Sequence, residues 1–221
     1  MFWTSETAAT AIFVALAAAL GFLLLSVPNV ELVTFTVFAS GVVLGCWRGA
    51  LVGVLAMAIY SAANPYGSGL GVPTMFVAQL AASAFTGMMG GVAAPLWRGR
   101  AGGRSQGPTA RFDVRATGRA VTGRRGLPLL AGGIGFTLTA VYQTGVIVGL
   151  AAMSPEFRTG ALAVLLSNAF FSGIHLVSNT IVFAVLAPTV LQRVVRLAGS
   201  HLSQARGGPP TLASGADGGN G

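Results

Sequence analysis

Six long apolar runs, broken by short polar or proline- and glycine-bearing stretches, set the pattern of this chain. A helix that crosses a bilayer needs about 20 mainly apolar residues. Runs at 7–27, 31–46, 49–64, 72–97, 127–152 and 160–190 meet that requirement roughly. The second and third are short and lie between Pro28 and Pro65. They predict a closely packed antiparallel hairpin with a tight turn at Cys46–Gly49. Small residues at four-residue spacing (Gly41/Gly45, Gly49/Gly53, Gly87/Gly91, Gly145/Gly149) let helix backbones approach, which favours association in lipid. The fold class expected is an all-α integral membrane protein of six transmembrane helices. Its divisions are 1–97 (helices one to four), 98–126 (a polar Arg/Gly-rich loop), 127–196 (helices five and six) and 197–221 (a low-complexity tail). The loop and tail carry too little apolar content to offset the entropy of ordering.

Polar positions inside the runs also follow the helical period. Asn168, Ser172, His175 and Asn179 recur at i, i+4, i+7 and i+11, so they share one face. Gln79, Ser83 and Thr86 do the same in the fourth run, and the fifth carries Thr139, Tyr142, Gln143 and Thr144. At 1.5 Å per residue, Gln79 lies about 10 Å, Gln143 about 13 Å and Asn168 about 12 Å below the end of the bundle opposite the arginine loop. Asn29, Glu31, Asn64 and Tyr66 fall at that rim, and His175 falls near the midplane. Convergence in one half predicts a pocket open at one side, lined by uncharged donors, acceptors and aromatics, suited to a polar organic molecule. Each of these residues also has a plainer reading, as hydrogen-bonding glue between helices. For Ser83, Thr86, Thr139 and Ser172 that reading is the stronger one, because their hydroxyls can bond their own backbone.

Charge orients the array. All thirteen basic residues are arginines, and eight lie at 98–125 between the fourth and fifth runs. Arg-rich loops stay on the cytoplasmic side. That places Arg48, Arg193, Arg196 and Arg206 inside too, with both termini; Arg158 is the exception, and Glu156 stands beside it. Charged residues make up only 8% of the chain and mean hydropathy is +0.75, which excludes an ordinary soluble domain. The net charge of +8 therefore reflects topology and anionic lipid rather than nucleic acid. The single Cys46 rules out an internal disulfide and a cysteine metal site. No basic residue precedes the first run, so that run reads as a retained helix and not a secretory signal.

Four stretches taken together resemble the substrate-binding S components of energy-coupling factor transporters, the vitamin-uptake branch of the ATP-binding cassette importers. They are VPNVELVTFTVFASGVVLG (27–45), RGALVGVLAMAIYSAANPYG (48–67), VAQLAASAFTGMMGG (77–91) and SNAFFSGIHLVSNTIVF (167–183). The resemblance implies six helices in a prokaryotic cytoplasmic membrane, termini inside, and an outward-facing site for a vitamin-like molecule. It implies a transmembrane T component and cytoplasmic ATPase subunits as partners. No cofactor is expected on this chain, since it has no Walker A motif and ATP is hydrolysed by the partners. In such a protein Asn29, Glu31, Asn64, Tyr66, Gln79, Tyr142, Gln143, Asn168 and His175 are the candidate substrate contacts. Ala11, Ala15 and Ala19 match the small-residue pattern that docks on the T component. The 98–126 loop and the tail are longer than the family pattern.

Two other classes stay open. A small multipass structural or morphogenesis protein needs no pocket, only the glue. An intramembrane enzyme is suggested by His175-x-x-x-Asn179, a rhomboid-protease-like spacing, but the GxSG serine and second intramembrane histidine are missing, since His201 lies in the tail. One intramembrane acid and one histidine supply little for acid–base or metal chemistry.

Overall fold

The computed structural model describes residues 2–25, 32–64, 69–101, 126–152, 161–195 and 197. Among the described residues six α-helices follow one another: α1 Phe2–Leu23, α2 Val33–Leu44, α3 Cys46–Ala63, α4 Pro73–Ala101, α5 Gly126–Ala151 and α6 Ala161–Leu186. A 3₁₀ turn, Gly69–Gly71, precedes α4, and no strand occurs among the described residues. Five of the helices are long and apolar enough to cross a membrane. This is a multi-pass helical membrane protein.

The exception is α2. Its 12 residues reach about 18 Å, well short of a hydrocarbon core of about 30 Å. Ten of the twelve are buried, from Val33 to Val42. A helix apolar all round and covered all round is interior. On one side Phe38 of α2 meets Trp97 of α4 and Phe183 of α6, with ring centroids 5.6 and 5.4 Å apart. On the other, Val33 and Val37 pack with Val14 and Ala17 of α1 and Val52 and Met57 of α3.

The expected hairpin is present, but its turn is tighter than Cys46–Gly49. Gly45 alone reverses the chain, at φ 93° and ψ 172°, and Cys46 already begins α3. That φ is open to glycine and strained for a residue with a Cβ. Gly41, Gly49 and Gly87 then bring α2, α3 and α4 into backbone contact. A Cβ built on Gly87 falls on the Gly49 carbonyl, and one on Gly41 falls on the Gly87 carbonyl. Gly91 sits likewise against the Cys46 backbone. By contrast Gly145 has room, while Gly149 lies close to Met75 and accepts a 2.6 Å hydrogen bond from the Thr74 hydroxyl.

Glu6 of α1 forms an ion pair with Arg48 of α3, so both helices start at the same end of the bundle. Gly45 lies at that arginine end too. The opposite end carries Ala63 of α3 and Pro73 of α4. Near the arginine end, α6 widens into a π turn at Ala187–Leu191. Pro188 has no N–H to give back along the helix. The Thr189 hydroxyl bonds back to the carbonyls of Val185 (3.0 Å) and Leu186 (3.2 Å). Ile12, Leu55, Phe136, Val177 and Ile181 stand exposed on the outer faces, the arrangement a lipid surround requires.

Candidate functional site

Polar side chains form a column in three tiers between α3, α4, α5 and α6. The helical period put them on inward faces; the antiparallel packing of neighbours decides who meets whom. Nearest the far end, the Ser61 hydroxyl of α3 donates to Oε1 of Gln79 on α4 at 2.7 Å. One turn deeper, Gln143 Nε2 of α5 lies 2.9 Å from His175 Nδ1 of α6. Beside them the Tyr142 ring stands edge-on to His175, centroids 6.2 Å apart, and its hydroxyl lies 3.9 Å from Met57 Sδ on α3. Deeper by another turn, Asn179 Nδ2 of α6 donates to Thr139 Oγ1 of α5 at 3.0 Å. Thr139 in turn donates its only proton to the Gly135 carbonyl at 2.8 Å.

In this orientation of Gln143 its amide nitrogen donates to Nδ1 of His175. His175 is 4% exposed and Asn179 is fully buried. Among the described residues no group of three His, Cys, Asp or Glu is placed to hold a metal. The column offers hydrogen-bond donors and acceptors and an aromatic edge, which can orient an organic molecule.

Of the nine substrate-contact candidates, the structure joins Tyr142, Gln143 and His175 directly. Gln79 stands one tier above them, and Asn64 ends α3 half-buried at the same end of the bundle. Asn168 lies on α6, but its side chain, like the whole of Asn29, Glu31 and Tyr66, falls outside the described residues, as do most of the 98–126 loop and the tail. Ala11, Ala15 and Ala19 are all exposed on one face of α1, whereas Val14, Ala17 and Ala18 turn inward. Met57, Ser61, Thr139 and Asn179 belong to the column, although the sequence argument did not choose them as contacts. Their signal was spacing: Thr139 and Asn179 lie one turn from Gln143 and His175, and Met57 lies one turn from Ser61. Thr86 and Thr139 bond their own backbone at i−4, as their residue type led one to expect.

A separate groove of about 700 Å³ opens between α4 and α5, lined by Thr74, Ala78, Ala81, Phe85, Val141, Gly145 and Val148. Its walls are almost wholly apolar and face outward, so it suits acyl chains and has little to recognise a polar solute. No family model, curated protein or solved structure matches the chain.

Proposed function

We propose that this protein is the substrate-binding subunit of an energy-coupling factor type importer, taking a vitamin-like molecule from outside the cell. The reading rests first on the three-tier column of neutral donors and acceptors with an aromatic edge, which runs from the end of the bundle remote from the arginines to just past its middle. The arginine distribution makes the arginine end cytoplasmic and the far end external. The exposed Ala11, Ala15 and Ala19 offer a flat face to a transmembrane partner. ATP is hydrolysed by other subunits.

The single exposed cysteine tests the orientation. Cys46 begins α3 at the arginine end. In intact cells it should react with a membrane-permeant maleimide and resist an impermeant one. Labelling by the impermeant reagent would invert the topology and remove the external site.

The function itself is tested by native mass spectrometry of detergent-purified protein. The expected result is a stoichiometric small-molecule adduct that disappears in Gln143→Leu while the variant still purifies as a folded monomer. A bare mass, together with no thermal shift from a panel of water-soluble vitamins, favours the structural-protein reading instead. One observation speaks for that second reading: Ser61 with Gln79, and Gln143 with His175, satisfy one another without any ligand.

A further inference from the structure

The innermost tier has an acceptor too many. Thr139 spends its proton on Gly135, so the Asn179 atom that faces it must be the amide nitrogen. The other prong of that planar group, Oδ1, turns away from Thr139. It is fully buried and has no hydrogen-bond partner among the described residues. A buried carbonyl oxygen left unpaired is unfavourable, so this position calls for a donor.

The first turn of α2 lies at about the same depth. Phe35 of α2 and Phe183 of α6 meet edge-on, centroids 5.5 Å apart. Both helices run toward the arginine end. Asn179 is one turn before Phe183, and Leu32 is three residues before Phe35. The N-terminal end of α2 is therefore about level with Asn179. Val33, its first residue, packs in the same apolar cluster as Met57, against which Tyr142 also packs. Leu32 supplies no side-chain cap, and the first intrahelical bond runs from Thr36 N to the Leu32 carbonyl. The amides of Val33, Thr34 and Phe35 thus have no acceptor within the helix, and those residues are buried. Because α2 is short, its first turn lies among buried residues within the bundle.

We infer that the end of α2 and the carbonyl of Asn179 together form the floor of the site. This floor recognises a neutral group bearing an acceptor beside an N–H donor: a carboxamide, lactam, imide or cyclic urea. The inference rests on the substrate-binding reading above and narrows it to a chemical class. A carboxylate or phosphate would gain from the positive end of α2 but would meet the Asn179 oxygen with lone pairs alone. A donor-only amine would leave the helix amides unpaired. An edge carrying both fits both.

Thermal unfolding of the full chain in detergent tests this with defined probes. Nicotinamide, riboflavin and biotin carry adjacent C=O and N–H; nicotinate and 3-acetylpyridine carry the acceptor without the N–H. The expected result is stabilisation by at least one compound of the first group and by neither of the second. In Asn179→Leu the unliganded protein should keep its melting temperature within about 2 °C, because an unpaired oxygen has been removed. Affinity for the stabilising probe should fall at least about tenfold, the loss of one buried hydrogen bond. Three results overturn the assignment: a shift from nicotinate or 3-acetylpyridine equal to that from nicotinamide, no shift from any probe, or an unliganded Asn179→Leu protein that melts many degrees lower. The last would make Asn179 a structural bond. The importer reading fails separately, if an affinity-tagged chain recovers no transmembrane and ATPase partners from its native membrane.

Discussion

Gly87→Leu should abolish the folded protein. A Cβ at this position falls on the carbonyl of Gly49 and close to the amide of Ala50. These are backbone atoms within helices, and no rotamer change can move them. Gly49 in turn lies on Gly41, so displacing α3 from α4 also displaces α2. Overpacking usually costs about 1–3 kcal/mol where side chains can shift. Here three helices must separate, and the expected loss exceeds about 4 kcal/mol, comparable with the whole stability of many domains. Gly87→Ala should give a milder form of the same defect. Gly133 is the control: it is helical and a Cβ there meets nothing within 4 Å, so Gly133→Ala should be neutral or stabilise by about 0.5–1 kcal/mol through helix propensity. Fluorescence-detected size exclusion with a thermal ramp reads all three. A Gly87→Leu protein that runs as a monomer with an unchanged melting temperature would refute the backbone contact.

In the liganded protein the largest effect is expected at His175. Replacing it by Ala removes the ring that Tyr142 meets edge-on and the acceptor of the Gln143 amide. Two further tier members lose their orientation at once, so binding should fall by about a hundredfold or more, near 3 kcal/mol. Stability should change less. Interhelical hydrogen bonds in membranes average about 0.6 kcal/mol and reach about 1.7, so Gln143→Leu alone should lower the melting temperature only modestly. A double-mutant cycle over Gln143→Leu and His175→Ala separates the two quantities. Strong coupling in binding with weak coupling in stability supports a recognition site. The reverse pattern makes the pair glue.

The run lengths, the prolines and the i, i+4 spacing made most of the architecture legible in the sequence, because each is a local consequence of helix geometry and bilayer thickness. The inward faces of α4 and α6 were legible for the same reason: Ser83, Thr86, His175 and Asn179 are all buried. Partnership was not legible. Periodicity says that Gln79 faces inward, but only the offset between α3 and α4 pairs it with Ser61 and not with Tyr142. The turn at Gly45 was placed too late because Cys46, Trp47 and Arg48 look like a polar break, whereas α3 starts directly after one glycine. The position of α2 was hidden as well. Its composition resembles the other apolar runs, and a helix hidden from lipid reads no differently from one bathed in it. The wide turn at Pro188 follows from a residue visible in the sequence, whose missing N–H interrupts the helical ladder.

The glycine contacts among α2, α3 and α4 also divide the molecule mechanically. Helices touching backbone to backbone have no side-chain layer to shear, so these three move as one rigid body. Helices α5 and α6 pack on each other through Gly135 against Phe183 and through the Gln143–His175 bond. They meet the three-helix body through rigid contacts, Gly149 on Met75 and Phe183 between Phe35 and Phe38, and through one softer junction, the Tyr142 hydroxyl resting on the flexible thioether of Met57. A molecule entering the column would therefore displace Met57 first, since that side chain can change rotamer without breaking a strong bond.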